Sequence, residues 1–489
     1  MAVRNRISHW EPEPGECELW DLTVSGLLDR AAGLWPQREA LVYSVYLDEG
    51  LDVRWSFAEL RERSRMVGRA MIASGISPGE AVGVWATNLP QWLTLQFGAA
   101  YAGVVLVPMN PLYRGSEVRY VLSHSGAVAC FVEPENRGVS LWNVLGEEMS
   151  DLSDCRLRVA IGDAPDDGGP SWDQWLETGH GISEDELDAR SGQFGPDDVN
   201  QIQFTSGTTG FPKGVELIHR GIVNNARLYA ERAQYPDGGR HCSPMPLFHC
   251  GGCVLSSLAT VATGSTLLPM LTFDPDRMIR TLEDERCTST TGVPTMLIAL
   301  EEAADRAGAK LEHLQIVATG GSSVPVEVER PWIEKFGVRF TITYGLTEAS
   351  PVITQSSPDD PEHLQIATCG IPLPGVEVDV VEPGTTSRVE LGVQGEIRAR
   401  GWLITRGYWN NEEATSAAID PDGFLRTGDL GSMDRDGYLS ITGRAKEMII
   451  RGGENLDPAE IESAIRQLPG VIDAAVVGAP SRKYGEEVA

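Results

Sequence analysis

The sequence predicts an α/β fold: a large N-terminal domain of βαβ sheets, a β-rich subdomain, and a small α+β C-terminal domain. Three features point there. Short apolar runs alternate with helix-period segments as far as Thr343, the pattern of parallel strands joined by crossover helices. From about residue 370 the period changes to two between Pro/Gly turns, the pattern of antiparallel strands. After Arg444 a separately capped helix and one more apolar run open a small third unit. At roughly 100–200 residues per domain, a chain of 489 residues fits this division.

The elements follow in order. Residues 60–71 form an amphipathic helix and Ala81–Trp85 a short buried strand; a helix over 91–102 then leads into a strand at 104–108. Ala127–Val132, 314–319 and 339–343 repeat the strand pattern. Residues 151–200 hold 13 acids against three arginines, which predicts a solvated surface excursion. The stretch 250–273 carries no charge and is long enough to span a bilayer. Gly251, Gly252, Gly264 and Pro269 break it, so it is expected to be a buried helix, a turn and a buried strand. Val376–Val381 and 395–400 alternate as antiparallel strands with one face to water. Asp457, Pro458 and Glu460 supply an N-cap, a first-turn proline and a capping-box acid. Ile461, Ala464, Ile465 and Leu468 then form one apolar stripe, and a strand is expected over 471–477.

The charge excludes some functions. Forty Lys+Arg against 70 Asp+Glu leave a net charge of −30, a field that repels nucleic acids and anionic lipid surfaces. Any anionic substrate must therefore meet a local cluster of donors. Lysine is scarce, so the positions of Lys213, Lys310, Lys335, Lys446 and Lys483 carry information. The eight cysteines are dispersed and no secretory leader opens the chain, which reads as reduced thiols in a cytoplasmic setting. His241, Cys242, His249, Cys250 and Cys253 imitate a metal cluster, but no second Cys pair stands at zinc-finger spacing.

The strongest chemical signal is Thr205-Ser206-Gly207-Thr208-Thr209-Gly210-Phe211-Pro212-Lys213-Gly214, directly after an apolar strand. Hydroxyls, side-chain-free backbone N–H groups and one lysine can wrap phosphate oxygens. It is not a Walker A loop, because Pro212 precedes the lysine and Gly214 follows it. This loop resembles the phosphate loop of the AMP-forming acyl-CoA synthetase (adenylate-forming) superfamily. Three later segments agree in order: Tyr344-Gly345-Leu346-Thr347-Glu348, the segment from Gly423 to Asp429, and the segment from Ile441 through Arg444 and Lys446 to Asn455. Within the superfamily the phrasing most resembles medium-chain fatty-acid–CoA ligases of the acyl-CoA synthetase family member two type.

The resemblance implies roles. Thr208, Lys213 and Glu348 would be catalytic, with Glu348 also contacting Mg²⁺. Thr205, Ser206, Gly207, Thr209, Gly210, Gly320, Gly321, Ser322, Tyr344, Gly345, Leu346, Thr347, Asp429 and Arg444 would bind ATP or AMP, Asp429 through the ribose hydroxyls. His249 would lie near the acyl carboxylate, and Lys446, Gly452 and Gly453 on the hinge and CoA side. Residues 1–443 would form the large domain of intertwined sheets, with its β-rich part at about 365–440, and 444–489 a hinge and an incomplete lid. The partners implied are a carboxylic acid, ATP with Mg²⁺, and CoA, with no nucleic acid and no stable membrane insertion; a homo-oligomer is compatible. Members of the family end in a segment whose lysine serves adenylation, whereas the last lysine here is Lys483 in an earlier-type segment. The resemblance therefore implies slow adenylation in this chain, with conversion of ready-made acyl-AMP and CoA retained. Three functions stay open at this point: an acid–CoA ligase, an acyl or nucleotide binder that has lost the first step, and an acyl-AMP ligase serving carrier proteins.

Overall fold

The structure is a computed structural model. It describes residues 6–205 apart from 50, 166 and 167, residues 212–444 apart from 322, 323 and 325, and separate short stretches of 449–489.

The first βαβ run builds a six-stranded sheet. Ala81–Trp85 lies near its centre, with Val105–Met109 and Ala127–Val132 parallel on either side. Leu157–Ala160 and Val199–Thr205 extend it in parallel, and Lys213–Ile218 closes one edge antiparallel to Val199–Thr205. Every residue of its three central strands is buried, as parallel strands covered on both faces require. The helix Pro90–Ala102 is buried almost all round, because it lies between this sheet and the helix Phe57–Ala73. Phe57–Ala73 starts on a capping box, in which Ser56 and Glu59 satisfy each other's backbone N–H.

A nine-stranded sheet follows. Thr266–Pro269, Arg240–Ser243, Ser289–Thr291, Ile316–Gly320 and Arg339–Gly345 run parallel side by side, so their carboxyl ends share one rim. The uncharged stretch 250–273 feeds this sheet. It is helical through Cys250–Gly252, Cys253–Leu258 and Ala259–Thr263, turns at the left-handed Gly264, and enters the buried strand Thr266–Pro269. Its middle turn has π-type bonding, a widening often found beside functional sites. Among the described residues no helix is long and apolar enough to cross a membrane.

Val376–Val381, Gly395–Gly401, Leu425–Met433 and Leu439–Arg444 make an antiparallel sheet, with His9–Trp10 added along the outer edge of Val376–Val381. Here one expectation holds only in part: on the polar face of Val376–Val381 and Gly395–Gly401, Arg400 is exposed but the middle of the face is closed to water. Asp379 is 0% exposed and Arg398 4%. Arg398 grips Asp379 through two N–H groups at 3.1 Å and reaches Asp420 at 2.7 Å. The Phe424 ring packs against the Arg398 and Arg400 guanidiniums, and Arg398 beneath it is buried. Alternation of charge marked the pleat correctly, but the charges neutralise one another inside.

The acidic excursion 151–200 lies at the surface as expected, with Asp151, Asp173, Glu177, Asp185 and Glu186 exposed. It is also moored: Trp172, Trp175 and Leu187 are buried, and Glu184 pairs with Arg65 and Arg69 on the helix Phe57–Ala73. One further expectation is corrected. Near the carboxyl end, residues 471 and 474–477 are not strand; Gly478–Ser481 pairs with Gly485–Val488 instead. A run of valines sets β propensity, whereas the pairing partner sets where the strand falls. Of the expected helix there, Pro458, Ile461, Glu462 and Ile465 are helical, and Asp457, Glu460 and Ala464 lie outside the described residues.

One buried acid makes stability depend on pH. Glu329, on the helix Val326–Phe336, is 1% exposed, neither carboxylate oxygen has a partner, and burial pushes its pKa up to about 7. The unfolded chain ionises this group near 4.5, so stability is lost as pH rises from there through 7, by about 3 kcal/mol in all. Glu329→Gln should therefore raise the unfolding midpoint at pH 8 relative to its effect at pH 5. Equal effects at both pH values would contradict this.

Candidate active site

The rim of the nine-stranded sheet opens into a cleft of about 220 Å³. Clefts at the carboxyl ends of parallel strands are where open α/β sheets bind ligands. Thr291, Thr319, Gly320, Thr343 and Tyr344 supply its back wall, and His249, Cys250 and Leu255 its side. Cys250 is fixed from behind. Its thiol donates to Gln203 Oε1 at 3.1 Å, while Gln203 Nε2 donates to Cys253 Sγ at 3.0 Å. The π-type turn thus ties the cleft wall to the six-stranded sheet, and the hydrogen bond with Cys253, with burial beside it, raises the Cys250 thiol pKa. Among the described residues no group of three or more His, Cys, Asp or Glu could hold a metal. His241 is instead a neutral core residue against Ser289, its pKa pushed down to about 3 by burial.

Two glycines shape the rim. A Cβ on Gly320 would run into the Thr343 carbonyl, and one on Gly345 into the Pro351 carbonyl. Only glycine lets these backbones approach so closely. Gly321, Gly345 and His249 stand exposed at the mouth. The His249 ring packs on Phe248 at 4.3 Å between centroids, and partial burial lowers its pKa, so a neutral imidazole faces the cleft. Leu346 and Thr347 also line the cleft.

Tyr344 and Glu348 reach out of this segment in different directions. The Tyr344 hydroxyl donates to Asp429 Oδ2 at 2.8 Å, and Arg444 Nε donates to Asp429 Oδ1 at 3.0 Å. Asp429 and Arg444 are cross-strand partners, so the sheet sets this pair. Burial raises the Asp429 pKa; the Tyr344 hydroxyl and the exposed Arg444 offset only part of it. Glu348 is 8% exposed and accepts a hydrogen bond from the Tyr408 hydroxyl at 2.8 Å. Lys213 Nζ lies 4.9 Å over the face of the same Tyr408 ring.

Lys213 owes its position to a hairpin. Val199–Thr205 and Lys213–Ile218 pair with Thr205 opposite Lys213, so the two ends of the intervening loop are pinned together. Thr205 Oγ1 donates to the Lys213 carbonyl at 3.5 Å, and the Tyr120 hydroxyl to that of Pro212 at 3.0 Å. Ser206, Gly207, Thr208, Thr209, Gly210, Ser322, Lys446, Gly452 and Gly453 lie outside the described residues.

Tyr408 was not found in the sequence. The segment around it docks along Lys213–Ile218: the Glu216 N–H donates to the Gly407 carbonyl at 3.0 Å, the Trp409 N–H to that of Gly214 at 2.7 Å. The Thr405 N–H also donates to the Glu348 carbonyl at 2.8 Å. Tyr408 is thereby a positioning residue between a cation and an anion sixty and more positions away. Tyr408→Phe keeps the ring under Lys213 and removes the hydroxyl from Glu348. It should slow turnover about tenfold, the scale of one hydrogen bond to a charged group. An unchanged rate would assign the hydroxyl to the fold alone.

Known proteins share this arrangement of elements. Residues 28–409 match the model of the AMP-binding enzyme family. YngI of Bacillus subtilis (strain 168), named as an acyl-CoA synthetase, is 40% identical over 486 residues, 96% of this chain and 88% of its own. The mitochondrial medium-chain acyl-CoA ligase ACSF2 of Danio rerio is 34% identical, covering 95% of this chain and 79% of its own. The crystal structure of ATP-bound MatB from Rhodopseudomonas palustris superposes with a TM-score of 0.82 at 27% identity, over 96% of this chain and 88% of that one. With the family matched over most of its length and these relatives along nearly all of it, the chain belongs to the AMP-binding enzyme family, among its acyl-CoA synthetases.

Proposed function

We propose that the cleft joins a carboxylic acid to AMP at the expense of ATP and then passes the acyl group to CoA. The observation that carries this is the reach of one segment: Tyr344 holds Asp429, and four residues on Glu348 accepts from Tyr408, whose ring lies under Lys213. Ribose and phosphate ends of a nucleotide would be read from the two ends of 344–348. A carboxylate oxygen attacks the α-phosphorus, the bond to pyrophosphate breaks, and CoA sulfur later displaces AMP from the acyl carbon.

The residues suit these steps. Each Asp429 oxygen has two acceptor sites, so ribose hydroxyls can be added beside the bonds from Tyr344 and Arg444. Lys213 places positive charge where phosphate oxygens gain negative charge, which a field of −30 makes necessary. Glu348 is a single buried carboxylate. Mg²⁺ commonly takes one or two carboxylates and draws its other ligands from phosphates and water, so this donor fits it. When bound, the ion would neutralise phosphate charge. Thr208 and the loop around it would cradle the phosphates, and residues 444–489, with Lys446 as hinge and Gly452 and Gly453 on the CoA side, would act as the lid on the 1–443 domain.

The named activity of the zebrafish relative supports a medium-chain acid. All eight cysteines are free thiols, which supports a reducing compartment such as the cytoplasm. The test is pyrophosphate release from ATP with a panel of short- to long-chain acids. Acid-dependent pyrophosphate and AMP, rising with CoA, are expected. Release of ADP and phosphate would overturn the proposal.

A further inference from the structure

The deep end of the cleft is polar and uncharged. Thr319 lines the cleft at 2% exposure, and its Oγ1 has no hydrogen-bond partner in the protein. Tyr229 and Thr291 line it too, at 1% and 9% exposure, and hydrogen-bond to each other. The Tyr229 hydroxyl also lies 3.0 Å from that of Tyr235, and either can donate. These groups come from the helix His219–Arg232 and the strands Ser289–Thr291 and Ile316–Gly320, so their convergence belongs to the fold and not to one loop.

Depth assigns them to the acid. Gly321, Gly345 and His249 stand at the exposed mouth, and Tyr344 turns its hydroxyl away to Asp429. An acid with its carboxylate near His249 runs its chain inward past Leu255, Val293 and Val352 to the buried hydroxyls. A plain alkyl end would leave Thr319 Oγ1 buried and unpaired, which is unfavourable. No Arg or Lys lines the cleft among the described residues, and His241 behind Tyr235 is held neutral. A second carboxylate would find no counter-charge.

Resting on the acid-activating reading of this cleft, we propose that the substrate acid bears a neutral hydrogen-bonding oxygen, a hydroxyl or ketone, at the end remote from its carboxylate. The Thr319 hydroxyl can donate to a ketone or accept from an alcohol, and the Tyr229 hydroxyl can adjust to either. Sites built to hydrogen-bond such a group discriminate strongly against analogues that lack it.

The experiment compares kcat/KM for four acids of one length: unsubstituted, with a penultimate hydroxyl, with a penultimate ketone, and dicarboxylic. The hydroxy or keto acid should be favoured over the unsubstituted acid by about tenfold or more. Thr319→Val and Tyr229→Phe should each draw that ratio towards one, with KM for ATP held within about twofold. The ratio is taken within one preparation, so a reduced folded fraction does not alter it. Preference for the unsubstituted or dicarboxylic acid overturns the inference alone. So does a Thr319→Val variant with a raised KM for ATP and an unchanged ratio, which would give the hydroxyl to the nucleotide. No pyrophosphate release with any acid overturns the acid-activating reading as well.

Discussion

Glu348→Gln is expected to lower the rate of acyl-AMP formation about 10²–10³-fold, the scale of removing one preorganised charge-stabilising group. The substitution is nearly isosteric. Its amide oxygen can still accept the Tyr408 hydroxyl, now 2.8 Å from Glu348, and the Thr405 N–H bonds to the Glu348 backbone, which is untouched. Folding should therefore be preserved, and the unfolding midpoint should move by no more than a few degrees. What is lost is a negative charge at 8% exposure, the one carboxylate on the 344–348 segment. Measured as a magnesium titration of acyl-AMP formation, the variant should need more of the ion and saturate at a lower rate. An unchanged titration would remove Glu348 from the chemistry and leave it as a partner for Tyr408.

Lys213→Ala is expected to cost about 10² in kcat/KM for ATP, also on the electrostatic scale. Lysine is rare in this chain, and this one sits where the hairpin pins it, its ammonium over the Tyr408 ring. Against a net charge of −30 the loss of a local cation is felt at binding and at the transition state alike. Lys213→Arg should recover only part of the rate, because a planar guanidinium cannot take the same point position above that ring. Full activity in Lys213→Ala would mean that Arg444 or another cation meets the phosphates.

Much of this was legible in the sequence, for identifiable reasons. Ala81–Trp85 and Ala127–Val132 were readable because strands buried on both faces must be apolar throughout. Tyr344, Glu348, Asp429 and Arg444 were named through the resemblance of the three short segments that carry them, and the fold brings Tyr344 and Arg444 onto Asp429. Long-range partnerships were not. Tyr408 bonds Glu348 across 60 positions, and nothing local marks it as more than an aromatic in a turn. Asp379 and Arg398 looked solvated because charge alternation is the same whether a face meets water or Phe424. His9–Trp10 joins a strand more than 360 positions away. Tyr229, Thr291 and Thr319 come to line one cleft only through the register of a parallel sheet and a crossing helix.

The central claim concerns which bonds are made, and isotope transfer tests it independently of how fast the chain turns over. An acid labelled with ¹⁸O in both carboxylate oxygens is supplied with ATP, magnesium and CoA, and the AMP produced is weighed by mass spectrometry. If the carboxylate attacks the α-phosphorus and CoA then takes the acyl group, the bridging oxygen stays with the nucleotide. Each AMP formed with thioester should carry one ¹⁸O. Unlabelled AMP, or label appearing in inorganic phosphate beside ADP, would contradict the account.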